Sequence, residues 1–365
     1  MDFSLGDDAR AVVDLAAGLF ADHGTDDRIR ALHESGDPFD ADLWAQLGGT
    51  GLLALALPEG DGGSGLGMLE LALVAEASGR FLAPVPYWQG ALAALAVARF
   101  GGERPRADHL RALAAGRTTA AVWTEAGADP SVAARRAGEG WALSGPAATV
   151  AMDARTDLLL LPVATAEGPR LALVPARAAG LGRTEGVATH GLPVADLRFD
   201  DVALPGDAVI GGPDAAAWLE ERSLLLLAAL QLGVVGEALR RASAFVGERQ
   251  QFGRPIGSFQ AVAVRMAGAY TEVELLRGAV WQLAWRLDAG LPAAAAARVA
   301  KFQAASAGHL VGHTAQHYHG GIGADLTYPA HRYFLWARAL EMTGGGAEAQ
   351  LARLGAAPLP RFEGG

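Results

Sequence analysis

The sequence contains no cysteine. That removes disulfides, thiolate nucleophiles and every cysteine-ligated zinc or iron–sulfur site at once. Surplus positive charge is missing as well. The net charge is −10, so the basic surface on which nucleic-acid binding depends is not available. The first residues, MDFSLGDDAR, have neither a basic n-region nor an apolar h-region, and no secretory signal is expected. A long unbroken apolar run is also lacking. The most apolar stretch, residues 224–239, is interrupted by Gln231, Glu237 and two glycines, which suits a buried helix better than a membrane span. Repeats and low-complexity linkers do not occur. The expectation is a cytoplasmic globular protein with neither nucleic acid nor membrane as partner.

What is present is apolar material in quantity. Of 365 residues, 51% are hydrophobic, enough to fill the cores of two or three units. Over residues 1–117 the period is helical: Val12, Val13, Leu15, Leu19 and Phe20 fall on one face. Leu43 and Leu47 supply another, and the glycine- and acid-rich LPEGDGGSGLG (57–67) reads as a loop. Over residues 118–212 the period changes to two. TAAVWTE, EGWALSG, DLLLLPVA, RLALVPA and ADLRFDDVALP are short strands separated by Gly, Pro and Asp turns. Over residues 213–365 long helices return, punctuated by Pro255, Pro292 and the glycines at 320–323. The expected fold class is therefore α+β and mostly α. It comprises an N-terminal helical domain (1–117), a middle antiparallel sheet or barrel (118–212) and a C-terminal four-helix bundle (213–365).

One stretch invites a metal. HLVGHTAQHYHGGIG (309–323) holds four of the nine histidines, with His309, His313 and His317 four apart along a helix. Zinc and iron sites use such spacings. Apart from Asp325, however, no carboxylate lies close in sequence to balance a metal's charge.

Four segments together resemble the acyl-CoA dehydrogenases: ERQQFGRPIGSFQAV (248–262), QHYHGGIG (316–323), TEAGAD (124–129) and LRFDDVALP (197–205). The resemblance covers essentially the whole chain. It implies FAD, bound extended across a subunit interface. Arg249 would then pair with the diphosphate, for which a planar guanidinium fork is suited. Gln251, Phe252 and Gln260 would line the same neighbour-facing groove. Gln316, Gly320 and Gly321 would receive the adenine end, and Thr124 would remain from the flavin-side turn. On this reading the histidine row is packed helix surface and not a metal site.

The resemblance also implies a catalytic glutamate at one of two positions, and here those positions hold Gly344 and Ser223. Neither removes a carbon-bound proton at neutral pH. Glu341 and Glu221 stand close in sequence, with Glu341 as the fallback base. The flavin-facing half departs too, with Asp129 and Pro130 where Gly and Ser are expected, and Ala147 and Thr149 where Lys and Trp are expected. The pattern resembles the smaller, base-less subunit of actinobacterial heterotetrameric acyl-CoA dehydrogenases. Those act on steroid side-chain or other bulky CoA thioesters. This implies an α2β2 assembly in which a glutamate-bearing partner completes the site. Two alternatives stand beside it: a self-sufficient homo-oligomeric flavoenzyme with a relocated base or a non-CoA substrate, and a non-catalytic scaffold of the same fold.

Overall fold

The computed structural model describes residues 4–124, 130–151 and 155–356. Helices come first. They are α1 (Asp7–His23), α2 (Asp26–Glu34), α3 (Ala41–Gly49), α4 (Met68–Arg80) and α5 (Tyr87–Phe100), followed by the short turns α6 (Glu103–Pro105) and α7 (Arg111–Ala114). Their starts are locally encoded. Thr25 accepts from Arg28 N at the head of α2, and buried Asp40 accepts from Leu43 N at the head of α3. Asp40 also takes both arms of Arg28 at 2.8 Å, which links α2 to α3.

Strands follow: β1 (Ala120–Val122), β2 (Ala133–Ala137), β3 (Gly140–Val150), β4 (Leu158–Thr165), β5 (Gly168–Pro175), β6 (Leu181–Val187), β7 (Pro193–Leu204) and β8 (Val209–Ile210). The order across the sheet is β6-β7-β3-β2-β4-β5-β8, with β1 on β4. Most pairings are antiparallel, as anticipated, but β1 and β2 each meet β4 in parallel. The run DLLLLPVA has no alternation because both faces of β4 are covered. Leu158 and Leu160 join the helical core, whereas Leu159 and Leu161 face the core of the sheet.

The helices that return are α8 (Ala215–Glu248), α9 (Gln260–Asp288), α10 (Ala294–His319), α11 (Ala330–Met342) and α12 (Ala347–Ala356). The order helices, sheet, helices is the one expected. By length and composition α8 would reach across a membrane, yet 83% of its most apolar window is buried inside the protein. Its two polar interruptions are explained by pairing. Gln231 donates to Ala337 O on α11 at 3.0 Å, and Glu237 takes Arg240 and Arg241.

Two glycines set how closely α4 and α8 approach. A methyl group at Gly233 would collide with the carbonyl oxygen of Glu76, and one at Gly79 with that of Leu230. Each clash is with backbone, so neither helix can yield without moving bodily. Gly236, on the same helix, has open space around it. We therefore expect Gly233→Ala to cost about 2–3 kcal/mol or more, and Gly236→Ala to stabilise by about 0.5–1 kcal/mol through propensity alone. Chemical denaturation of the pair checks this, and equal midpoints would contradict the close-packing account.

Candidate active and cofactor sites

α8 ends at Arg249, where the chain turns into a hairpin formed by β9 (Gln250–Gln251) and β10 (Arg254–Pro255). Its two turn residues, Phe252 and Gly253, have φ of 53° and 77°, the geometry of a type I′ turn. Phe252 is thrust into solvent, 92% exposed. Arg249, Gln251 and Gln260 are exposed too, and the Arg249 guanidinium makes no ion pair among the described residues. The Arg249 guanidinium and the Phe252 ring are thus both accessible to a molecule outside the chain.

The C-terminal end of α10 lies against the same end of α8. His319 stacks on Phe245, with ring centroids 4.7 Å apart, and also contacts Tyr328. Its Nδ1 bonds Ala315 O at 2.7 Å. Beyond it, Gly320 adopts φ 59° and ψ −138°, a conformation open essentially to glycine alone. Nothing lies within 4 Å of where a Cβ would stand at Gly320 or Gly321. Gln316 is tucked beneath this turn, and its Oε1 is buried without a hydrogen-bond partner. Of the candidate cofactor residues, Arg249, Gln251, Phe252, Gln260, Gln316, Gly320 and Gly321 thus gather where α8 and α10 end. An unpaired cation, an orphaned amide oxygen and two bare glycine backbones fit the diphosphate and adenine of a dinucleotide. Thr124 stands apart, on the sheet after β1 and before residues 125–129. Asp129 lies outside the described residues.

The two base positions lie elsewhere. Ser223 is fully buried near the start of α8, and its Oγ has no partner. Gly344 follows α11 with φ 73°, and its carbonyl oxygen accepts from buried Gln350 at 2.8 Å. A Cβ at 344 would meet Leu227 at 3.1 Å, Leu224 at 3.4 Å and the Lys301 Cε at 3.7 Å. Lys301 is the residue that sequence reasoning missed. It is the only lysine in the chain and is 1% exposed. Its Nζ donates to Leu340 O at 3.1 Å and Glu341 O at 3.0 Å, capping α11. Where the resemblance leads one to expect a carboxylate there is a glycine, and beside it a buried amine.

The fallback base is engaged. The Glu341 side chain is 14% exposed and paired with Arg338, while His309 Nδ1 lies 3.4 Å away. The Arg338 guanidinium therefore already engages this carboxylate. The Glu221 carboxyl is raised by burial. Two residues from Ser223, however, its side chain leaves the opposite side of the helix. In the sheet, Thr149 sits exposed at an irregularity between Ala147 and Val150, with φ 55°. Its N–H is held by Asp196 at 2.7 Å. No group of three or more metal-ligating side chains forms among the described residues. His309 and His313 do meet, their centroids 4.6 Å apart, but Arg338 Nη1 sits 2.7 Å from His309 Nδ1.

Helical N- and C-terminal units flank a sheet, and the candidate dinucleotide-binding residues gather at one end of the longest helix, an arrangement suited to a flavin-dependent dehydrogenase. Comparison with known proteins makes this specific. The family models for the N-terminal and C-terminal domains of acyl-CoA dehydrogenases match residues 6–117 and 218–359. Acyl-CoA dehydrogenase FadE27 of Mycobacterium tuberculosis is 38% identical over 97% of this chain and 98% of its own length. Among solved structures, a variant of the Tcur3481-Tcur3483 steroid ACAD is 40% identical with a TM-score of 0.91, covering 97% of this chain and 98% of that one. The ChsE4-ChsE5 complex from Mycobacterium tuberculosis is 37% identical with a TM-score of 0.92, covering 98% of both chains. This chain belongs to the acyl-CoA dehydrogenase family of oxidoreductases.

Burial pushes Lys301 down to about 8, with Glu341 opposing the shift. Because no other lysine exists, a single 13Cε-lysine resonance reports it directly. We expect its titration midpoint near 8; a midpoint near 10.5 would count against the burial. The sign for stability follows. Between pH 8 and 10.5 the unfolded chain holds this proton and the folded one releases it, so stability rises with pH across that window. Below pH 8 both states carry the charge and the full burial cost persists. The increment should vanish in Lys301→Met.

Proposed function

We propose that this chain is the base-less subunit of a hetero-oligomeric, FAD-dependent acyl-CoA dehydrogenase, and that it lends its diphosphate- and adenine-binding surface to a glutamate-bearing partner. One observation carries the reading. Ser223 and Arg249 stand near opposite ends of α8, ~39 Å apart at 1.5 Å per residue. A ribityl chain of a few carbons separates a flavin ring from its diphosphate, so one FAD cannot serve both positions within this chain. Arg249, exposed and unpaired, is available to a neighbour's cofactor, while the chain's own base position is closed by Leu224, Leu227 and Lys301. The names of the relatives support the same direction. One solved relative is called a steroid ACAD and another a ChsE4-ChsE5 complex, so we assign this chain a bulky acyl thioester, a steroid side chain being the first candidate, and an α2β2 assembly. The proposed domains are 1–117, 118–212 and 213–365, and the proposed compartment is the cytoplasm.

The division of labour follows from the residues. FAD, when bound, supplies the acceptor for the hydride that leaves Cβ. Arg249 would neutralise the diphosphate, Gln251, Phe252 and Gln260 would wall the groove, and Gln316 would spend its orphaned Oε1 on an adenine donor. Gly320 and Gly321 would let main chain approach the nucleotide. Thr124 would stand on the flavin side. Removal of the α-proton falls to the partner's carboxylate, because neither Gly344 nor Ser223 can do it. The self-sufficient alternative loses ground to the ion pair that occupies Glu341.

Arg249→Ala should lower FAD retention in the assembled protein without unfolding it. Loss of a charge-assisted contact worth roughly 1.5–3 kcal/mol corresponds to about a tenfold to hundredfold weaker hold. Flavin content after gel filtration measures it, and unchanged content would refute this placing of the cofactor. A second test concerns activity. Alone, the chain should not reduce an artificial electron acceptor at the expense of an acyl-CoA; with the partner it should. Gly344→Glu should not rescue the isolated chain. The new side chain would strain a backbone at φ 73°, and its carboxylate would meet the Lys301 ammonium. Robust turnover by the unmodified chain, lost in Glu341→Gln, would sink the subunit reading.

A further inference from the structure

One imidazole stands where three segments meet. His319 is the last residue of α10 and is 4% exposed. Its ring contacts Phe245 on α8, one helical turn before Arg249, at 4.7 Å, and Tyr328 at 5.5 Å. Tyr328 is brought back by the turn beyond the glycines. Its N–H donates to Asp325 O at 3.0 Å, and the Asp325 carboxylate accepts from the N–H and hydroxyl of Thr327. Gly323 closes in as well: a Cβ there would stand 2.9 Å from His319 Cβ. The end of α8, the end of α10 and the loop over residues 320–328 thus all rest on this ring.

The ring's protonation follows from its bonds. Nδ1 lies 2.7 Å from Ala315 O, and a carbonyl only accepts, so Nδ1 carries the hydrogen. Nε2 is then a bare acceptor, buried and without a hydrogen-bond partner among the described residues. A second proton would add a charge and an unmatched N–H to this enclosure, which is costly. The groups that face the ring offer no relief. Arg241 on α8 is itself a cation, Tyr328 presents a phenol, and the Asp325 carboxylate is spent on Thr327. Burial accordingly lowers the ring below its ordinary value, against the bond to Ala315 O, and Arg241 adds to the lowering. We propose that His319 is a positioning residue for the dinucleotide surface. As a neutral Nδ1–H imidazole it sets the separation between Arg249 and the Gly320–Gly321 turn, and a proton on Nε2 undoes that setting. This rests on the cofactor reading above. Arg249 would hold the diphosphate and the glycine turn the adenine end, so one extended ligand spans both, and such constellations must be kept to within ~0.5 Å. The sign is fixed. The cofactor-bound form favours the neutral ring, so the hold is full above the ordinary histidine value of 6.5 and is lost as pH falls through the ring's lowered one.

The test is FAD retention by the assembled, flavin-loaded protein, measured between about pH 7.5 and pH 5, the range in which a histidine titrates. We expect the unmodified protein to hold FAD about tenfold more weakly at the acid end. His319→Phe keeps an aromatic ring against Phe245 and Tyr328 but takes no proton. It should hold FAD at neutral pH within about threefold of the unmodified protein and lose the pH dependence. His319→Gln, which can still donate to Ala315 O and does not titrate, should also give a flat profile, and it decides the matter if the first variant fails to fold. A merely structural role would lower Tm and leave the shape of the profile alone. Arg249→Ala separates this inference from the reading beneath it. If that variant releases flavin while a folded His319→Phe or His319→Gln keeps the pH dependence of the unmodified protein, this inference alone fails. If Arg249→Ala leaves flavin content unchanged, the cofactor placement fails and this inference falls with it. A flat profile in the unmodified protein would also overturn it.

Discussion

Everything in this molecule is hung on the contact between two helical backbones. Gly79 and Gly233 let α4 and α8 touch main chain to side-chain-free main chain, and α8 then runs its 34 residues through the middle of the protein. Helix packing ordinarily keeps axes 8–10 Å apart because side chains interdigitate; glycine at the crossing removes that spacer. Such a contact is rigid. What is fixed at one end of α8 is therefore fixed relative to the other, and the helix acts as a ruler between the neighbourhood of Gly344 and the hairpin that follows Arg249.

The two ends of that ruler have fared differently. At the far end, Arg249, Phe252, Gly320 and Gly321 remain open to solvent, with polar groups unspent. Near Gly344 the space is filled by leucines and an amine, and the chain has committed Lys301 to closing α11. Leu224 and Leu227 line Gly344, and the buried amine of Lys301 is spent on the last carbonyls of α11, so a glycine at this position is built into the core. Under the proposed shared site such a glycine is tolerable, since each half would be needed only once per cofactor.

The large-scale order was legible because periodicity changes twice along the chain, from helical to two and back. DLLLLPVA reads only as one of the period-two strands, and its covering on both faces emerges from the structure. Pairing partners were less legible. A period-two pattern fixes which face a residue takes and leaves open which strand lies beside it, and so β1 and β2 running parallel to β4 could not be read. Around the candidate site, Gly253 and Gly320 take positive φ, a backbone requirement that glycine marks within a short stretch of sequence. Lys301 and Asp288 carried no such mark. Their significance lies in burial and in partners hundreds of residues away in some cases, as where Asp288 caps α4, and neither is a property of a short stretch of sequence.

The solitary lysine has a chemical consequence of its own. An acyl thioester is an acylating agent: an unprotonated amine attacks its carbonyl, forms an amide and expels the thiol. A protein that lives among such compounds and displays ordinary lysines is slowly modified by its own metabolites. This chain carries its cations as arginine, whose guanidinium stays protonated and does not attack, and keeps its one ε-amine 1% exposed under the leucines of α8. Its lysine chemistry is thereby shut off from acyl thioesters in solution, and its arginine-bearing surface keeps its charge in their presence.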